Sequence, residues 1–400
     1  MRPLNRTVIL SALLASTTAA QIEPFPVLGS DSFRVPGDPR SLATGDLQAD
    51  GVLEIVVTRF NASDLRIYAG DGTLLTSVGL AFQPGLVTTL DANGDGHLDL
   101  FVADALPDGT GQLLLGDGAL GFTAPAPVLL DGDAYVLRAG DFEGDGDTDL
   151  LVVTRNPFSV GQLLRNDGAG VFTSDSSVLT DALPTFLAST QFADVSGDGL
   201  RDILALDDAR VRVYLGAPDG SFSQSNTVGQ PGDPTDLLVA DLTDDGVLDL
   251  ITQLPTAQGV TGVRLHAGPG PLFAPGVIVS AGTGAIPTQS LMAGDWSFDG
   301  VTDLLGSYPL LGVAGDSATA WDLPDGFAPQ LIGTSNRGGA VGDVDGDGVA
   351  ELLNLARVGP VGWDVLIRQL PPDGDDGQTR IFEALPLFQN LSQSWVADLD

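Results

Sequence analysis

The chain has 400 residues, and 53 acidic against 17 basic residues give it a formal net charge of −36. Every basic residue is an arginine, and the sequence contains no basic patch of the kind that binds nucleic acid. Cysteine is absent, so packing or bound metal must stabilise the fold in place of disulfides.

The N-terminal segment has the layout of a secretory signal. Arg2 and Arg6 precede the apolar run TVILSALLA, and small residues follow it. We predict a signal peptide over residues 1–20, cleaved after Ala20, and export to the extracellular space or cell surface. The apolar run is much shorter than the roughly 20 residues that span a bilayer, and no later segment is longer. The sequence therefore predicts no transmembrane segment and a folded region over residues 21–400.

One acidic loop pattern recurs along the whole chain. It reads D-x-[DNSTEQ]-x-D-G-x-x-[DE] and begins at Asp46, Asp91, Asp141, Asp194, Asp241, Asp295 and Asp343. Asp398 and Asp400 would open an eighth copy, so we expect the sequence to be part of a longer protein. A period of about 45 to 55 residues indicates a repeat architecture.

The spacing of oxygen-bearing side chains indicates a calcium loop. Ca²⁺ prefers six to eight oxygen ligands, and glycine at position 6 permits a sharp turn. An EF-hand would need a bidentate Glu at position 12 and flanking helices. In the second loop position 12 is Val102, inside the apolar run LDLFVAD. The loop therefore joins two β-strands.

Each repeat is predicted to contain four short strands. In residues 86–130 these are LVTTLD, LDLFVAD, GQLLLGD and FTAPAPVLL, and the next repeat gives YVLRAGD, DLLVVTR, GQLLRNDGAG and VFTSDSSVL. Four strands per repeat predict an all-β fold, a β-propeller with four-stranded blades. Seven blades are expected, with eight as the alternative, and EPFPVLG near the N-terminus would help to close the ring. A parallel β-helix has shorter coils and needs no such hairpins.

The repeats resemble FG-GAP/VCBS repeats, the family that also builds the propeller of integrin α-subunits. The resemblance rests on the seven loops and on the strand-turn-Phe elements LLLGDGALGF, LLRNDGAGVF, VYLGAPDGSF and LHAGPGPLF. It covers residues 40 to 400. It implies up to seven structural Ca²⁺ sites, in which the side chains at positions 1, 3, 5 and 9 and the backbone carbonyl at position 7 bind the ion.

The predicted ligands follow from this pattern, and Asp147, Leu200, Val247, Val301 and Val349 contribute through the carbonyl. By loop they are Asp46, Asp50 and Glu54; Asp91, Asn93, Asp95, His97 and Asp99; Asp141, Glu143, Asp145, Asp147 and Asp149; Asp194, Ser196, Asp198, Leu200 and Asp202; Asp241, Thr243, Asp245, Val247 and Asp249; Asp295, Ser297, Asp299, Val301 and Asp303; Asp343, Asp345, Asp347, Val349 and Glu351.

Some loops depart from the pattern. Gln48 and Glu54 lengthen the ligand arms of loop one, and a hydroxyl replaces the acid at position 3 of loops four, five and six. Phe298 also replaces the usual small residue in loop six. The alternative for every loop is an Asp-Gly turn capped by its own side chains. That alternative does not by itself explain why oxygen-bearing side chains occur at the same four positions of each loop.

The function expected from the resemblance is a non-catalytic binding or adhesion scaffold for an extracellular protein or carbohydrate. Ligands would meet the face opposite the loops, at RFNASD (59–64), TRNPFSVG (154–161) and QLPTAQGVTG (253–262), where Phe60 and Phe158 are candidate contacts. A purely structural extracellular role is a further alternative.

A polysaccharide lyase or hydrolase is the alternative from another class. His97 and His266 are the only histidines, and no catalytic constellation surrounds either in the sequence. Binding of uronates would need basic groups, for which Arg59, Arg155, Arg337 and Arg357 are the candidates. Their simpler interpretation is as solvated surface arginines. We therefore predict a protein that is not an enzyme.

Overall fold

The structure is a computed structural model of the chain. It describes residues 30–106, 109–155, 159–175, 189–207, 210–229, 234, 236–243, 245–255, 261–270, 273–281, 292–294, 303–305, 309–310, 336–342, 344–346, 351–358 and 362–369. The predicted signal peptide, the segment EPFPVLG and the start of an eighth loop lie outside these residues.

Within the described residues the chain forms seven antiparallel sheets, which we number by the acidic loop that each contains. Sheet 1 contains β2 (Pro39–Gly45), β3 (Glu54–Arg59), β4 (Asp64–Tyr68) and β5 (Leu74–Gly79). Sheet 2 contains β6 (Pro84–Leu90), β7 (Asp99–Asp104), β8 (Thr110–Gly116), β9 (Phe122–Thr123) and β10 (Val128–Leu129). Sheet 3 contains β11 (Asp133–Gly140), β12 (Asp149–Arg155), β13 (Ser159–Asn166) and β14 (Phe172–Asp175).

The later sheets follow the same order. Sheet 4 contains β15 (Ser189–Ala193), β16 (Asp202–Asp207), β17 (Arg210–Gly216) and β18 (Phe222–Gly229). Sheet 5 contains β19 (Asp236–Ala240), β20 (Asp249–Pro255), β21 (Thr261–His266) and β22 (Val277–Ala281). Sheet 6 contains β23 (Met292–Gly294), β24 (Asp303–Leu305) and β25 (Pro309–Leu310).

Sheet 7 joins the two ends of the described chain. Its strands are β26 (Asn336–Gly342), β27 (Glu351–Val358) and β28 (Gly362–Gln369), and β1 (Ser30–Val35) pairs with β28 as the outer strand. The strand that completes this sheet is therefore Ser30–Val35, directly after the predicted EPFPVLG.

Consecutive sheets pack face to face through apolar side chains. Separate buried clusters lie between sheets 7 and 1, 1 and 2, 2 and 3, 3 and 4, and 4 and 5. Every residue of β3 and of β7 is buried, as expected for strands covered on both faces. This packing makes the fold propeller-type, as predicted, while the number of blades in a closed ring stays a prediction.

The predicted strands of repeats two and three are confirmed within the described residues, where GQLLRNDGAG is a strand as far as Asn166 and VFTSDSSVL is described as far as Asp175, with one further difference. The predicted strand FTAPAPVLL is divided into β9 and β10. Pro125 and Pro127 lie between them, and proline has no N–H to donate to a neighbouring strand. One 3₁₀ turn, Phe60–Ala62, is the only helix among the described residues.

Candidate metal centres in the acidic loops

Each described acidic loop connects the first and second strands of its sheet. Loop one lies between β2 and β3, and loop two lies between β6 and β7. Because the strands are antiparallel, the turn between the third and fourth strands lies at the same end of the sheet. We call this the loop end. The connections after the second and fourth strands form the opposite end.

Loops one to five share one burial pattern. The side chain at position 1 is half-buried, position 2 is buried, position 3 is half-buried, and positions 4 to 6 are exposed wherever they are described. Position 9 is buried again. Five loops of different sequence therefore adopt one conformation.

The carboxylates at positions 1 and 5 accept amides of their own loop. Asp91 accepts the N–H groups of Gly94 at 2.8 Å and Gly96 at 2.9 Å. Both glycines have positive φ, 68° and 84°, which other residues rarely adopt. Asp95 accepts the His97 N–H at 2.9 Å, and this bond lowers the pKa of the Asp95 carboxyl. Equivalent position 1 bonds are made by Asp46, Asp141, Asp194 and Asp241.

The carboxylate at position 9 has a different role. Asp149 is fully buried and accepts the N–H of Phe142, in its own loop, at 3.1 Å. Its other oxygen accepts the N–H of Asn166, at the end of the third strand, at 2.9 Å. It therefore fastens the loop to β13. The same two bonds are made by Asp99, Asp202 and Asp249.

Burial raises the pKa of the position 9 carboxyls, although their amide hydrogen bonds oppose this shift. The four residues concerned are Asp99, Asp149, Asp202 and Asp249. Glu54 has the equivalent place in loop one. It accepts the Leu47 N–H at 2.7 Å and the side-chain amide of Gln48 at 2.9 Å, and burial raises its pKa.

The residue at position 2 of each loop has an anchoring role that was not predicted from the sequence. Its side chain is apolar and buried in every loop where it is described: Leu47, Ala92, Phe142, Val195, Leu242 and Val344. These side chains anchor the loop in the core between sheets. The signal was present in the sequence, because an apolar residue follows the first Asp of each loop.

Position 3 is where the loops differ. The side-chain amide of Asn93 donates to Asp95 at 2.8 Å, and Ser196 donates to Asp194 at 3.4 Å. The hydroxyl oxygen of Thr243 is buried, and the Thr243 N–H donates to the position 9 carboxylate of Asp249 at 3.1 Å. Each loop therefore gives its position 3 oxygen a different environment.

Glu143, at position 3 of loop three, is paired with Arg165 at the end of β13. Arg165 also contacts Asp175 at 3.4 Å and donates to the carbonyl oxygen of Asp219 in the neighbouring sheet 4. The guanidinium of Arg165 is thus paired with a predicted calcium ligand, Glu143, at the boundary of sheets 3 and 4.

The loops supply the oxygen chemistry that calcium requires, although they do not form a preassembled metal site. Among the described residues, no three His, Cys, Asp or Glu side chains are grouped so that they could hold a metal ion. The amide bonds explain this arrangement, because they turn the carboxylates toward the backbone. Each carboxylate oxygen nevertheless has two lone pairs, so an oxygen that accepts an amide can also bind an ion. The donor set therefore fits Ca²⁺, with Glu143 already paired.

Two predicted loops lie largely outside the described residues. In loop six only the backbone of Asp303 is described, at the start of β24. In loop seven Val344, Asp345 and Gly346 are described, and Val344 is buried as its position predicts. The remaining predicted ligands of both loops stay untested.

The predicted surface role of Arg59 is wrong. Its side chain is buried and paired with Asp64, and it donates to the carbonyl oxygen of Pro36 at 3.0 Å. It therefore stabilises the hairpin between β3 and β4. Phe60 is half-buried beneath the guanidinium of Arg40, 4.4 Å from the ring centre. The side chains of Arg155, Phe158, Arg337 and Arg357 lie outside the described residues.

The fold and the repeated loops define a propeller-type repeat protein. The model of the FG-GAP-like repeat matches residues 46–102, 91–152, 141–205 and 194–252, each match running from one acidic loop to just beyond the next. The chain belongs to the FG-GAP-like repeat family. A propeller-type fold built from such repeats supports a binding or scaffold role.

Solved structures agree on the fold. The crystal structure of BBS1N in complex with ARL6DN, soaked with mercury, matches with 12% identity and a TM-score of 0.54, over 88% of this chain and 98% of that one. An Agrocybe aegerita lectin that recognises non-reducing terminal N-acetylglucosamine matches with 20% identity and a TM-score of 0.49, over 86% and 90% of the two chains. At 12% identity the likeness to the BBS1N structure shows the fold alone. A search of curated proteins gives no match. The described residues include no helix with the length and apolar character needed to cross a bilayer.

Proposed function

We propose that the protein is an exported, calcium-stabilised propeller that acts as a non-catalytic binding scaffold for a protein or carbohydrate. The observation that supports it is the shared burial pattern of loops one to five, which places an exposed acid at position 5 beside a half-buried acid at position 1 in each loop. The seven loops contain 25 of the 53 acidic residues of a chain with a net charge of −36, and this clustering makes bound cations favourable.

The residues that would hold the ion are those at positions 1, 3, 5 and 9, with the carbonyl at position 7. When bound, Ca²⁺ supplies a positive charge that neutralises the clustered acids. The chain's own amides already hold the loop closed, so calcium would strengthen a loop that is largely formed. The opposite end of the sheets then stays available to a ligand, since neither the loops nor the third-to-fourth turns lie there.

Thermal unfolding of the mature, metal-stripped protein tests the calcium part of this proposal. With dissociation constants of about 10⁻⁴–10⁻³ M, 1 mM Ca²⁺ stabilises each site by about 0.4–1.4 kcal/mol. Several sites together should raise the melting temperature by many degrees over the same protein in EDTA, while equal Mg²⁺ should have a smaller effect. Equal melting temperatures in Ca²⁺ and EDTA would refute calcium stabilisation.

A further inference from the structure

A cleft of about 430 Å³ is lined by residues of sheets 4 and 5. One wall is the end of β18, with Asn226 and Thr227, and the other is β21 and the segment after its turn, with Arg264, His266 and Phe273. This volume is within the range of about 300–1,000 Å³ typical of small-molecule sites. Among the described residues that line it there is no carboxylate, although the chain carries 53 acidic residues.

The repeats show that His266 is unusual at its position. In sheet 5 it pairs with Leu250, the residue that follows position 9 of the loop. The third-strand residues at the same register are Tyr68, Leu114, Leu164 and Tyr214 in sheets 1 to 4, Leu310 in sheet 6 and Arg368 in sheet 7. Leucine or tyrosine therefore satisfies the packing in sheets 1 to 4, and the buried histidine of sheet 5, at 2% exposure, adds a polar group that packing in those sheets does not require.

His266 is fixed by its neighbours. Its Nδ1 lies 2.9 Å from the carbonyl oxygen of Ala274, so Nδ1 carries the proton and Nε2 is an acceptor. Burial lowers the pKa of His266, which keeps the ring neutral at pH 7. A Cβ at Gly276 would lie 2.5 Å from His266 Cε1 and 2.4 Å from Arg264 Cδ. The absence of a side chain at Gly276 thus allows both residues to lie together in the cleft wall.

Arg264 brings positive charge to the same wall. Two residues before His266 on β21, it is 9% exposed. The equivalent residues of sheets 2 and 3 are Gln112 and Gln162, and those of sheets 1 and 4 are Arg66 and Arg212. A guanidinium presents paired N–H donors that match a carboxylate. The combination of Arg and His at these two positions occurs in sheet 5 and in none of the other four sheets just compared.

We propose that this cleft binds a small carboxylated sugar of the uronic acid type, with Arg264 binding the carboxylate. His266 and Asn226 would meet sugar hydroxyls, and Phe273 would offer an apolar surface. The proposal rests on the proposed binding role and names a ligand class and a second site, which lies beside the third-to-fourth turn of sheet 5 and therefore at the loop end, apart from the opposite end. It does not require calcium, because no loop carboxylate lines the cleft.

The repeats also provide the variants for a test. Arg264→Gln introduces the glutamine that sheets 2 and 3 have at the position of Arg264. His266→Leu introduces the leucine that the same two sheets have at the position of His266, so both variants should fold. Arg212→Gln removes the equivalent arginine of sheet 4, which does not line the cleft, and is the matched control. Thermal unfolding would verify that all three variants are folded.

Binding is measured by calorimetry with galacturonate and, for comparison, with neutral galactose. We expect galacturonate to bind the parent protein and Arg212→Gln equally, and at least about tenfold more weakly to Arg264→Gln and His266→Leu. Galactose should bind more weakly than galacturonate to the parent. Absence of galacturonate binding, or equal binding by folded Arg264→Gln, would overturn the proposal.

The same titration in Ca²⁺ and in EDTA separates the two proposals. If the loops bind no calcium, the cleft should still bind galacturonate in both buffers. If the cleft binds nothing while calcium raises the melting temperature, the calcium-stabilised scaffold stands and only the cleft assignment fails.

Discussion

Asp145 and Asp149 belong to the same acidic loop, yet their surroundings differ. Asp145 is exposed and accepts one N–H, that of Asp147, at 3.0 Å. Asp149 is fully buried and joins the loop to the third strand through two amides. Identical residue types at fixed offsets can therefore serve different purposes. The exposed carboxylate is suited to an ion from solvent, whereas the buried one holds the sheet together whether or not an ion is present.

Substitution of the two residues by alanine gives the largest expected effect. Asp149→Ala leaves two buried N–H groups without an acceptor, which costs about 2–6 kcal/mol of the free energy of unfolding. Asp145→Ala should cost much less in the absence of calcium, because water replaces the lost acceptor. Urea unfolding in EDTA compares the two variants directly. Similar losses would mean that position 9 has no special structural role.

A smaller effect is expected at the boundary of sheets 3 and 4. Arg165→Gln removes the partner of Glu143 and the contact to the Asp219 carbonyl, and exposed or partly exposed ion pairs typically contribute up to about 1 kcal/mol. The variant should lose some stability in EDTA. Because Glu143 is then released, the added stability from calcium should increase. An unchanged calcium response would show that Arg165 and the ion do not compete.

The smallest effect concerns the pH dependence of His266. Its pKa is lowered by burial, with Arg264 acting in the same direction, so the unfolded chain binds a proton more readily than the folded one. The stability that depends on the neutral ring is present above the unfolded pKa of about 6.5 and is lost as the pH falls through the folded pKa. Unfolding followed between pH 7 and 5 should therefore show a shallower decline for His266→Leu than for the parent. Parallel curves would contradict this sign.

Much of the fold could be predicted from the sequence. Alternating and fully apolar runs located β6, β7 and β11, and the loop period divided the chain into sheets. The structural role of Asp149 could not be predicted, because its N–H partner Asn166 comes from a different strand and the offset within the loop is the same as that expected for a metal ligand. The ion pair of Arg59 was missed for a related reason, since Asp64 reaches it only after β3 and β4 have paired.

The candidate site shows the same limit. Spacing alone predicted which oxygens each loop contains, and the structure confirms that five loops fold alike. Spacing could not reveal that Arg165 pairs with Glu143, because Arg165 comes from a neighbouring strand. The place of His266 on the wall of a cleft could not be predicted either, because it depends on residues of sheet 4.

The pairing of β1 with β28 has a consequence for the order of folding. Sheet 7 pairs Ser30–Val35 with Gly362–Gln369, so it can be completed only after the chain has been synthesised as far as Gln369. Loop closure over such a separation is slow relative to the local hairpins of sheets 1 to 5. Those sheets can assemble early, while β1 remains an unpaired segment that waits for its partner. A chain interrupted before Gly362 would leave that segment without its partner strand, and a peptide with the sequence of β28 could then bind it.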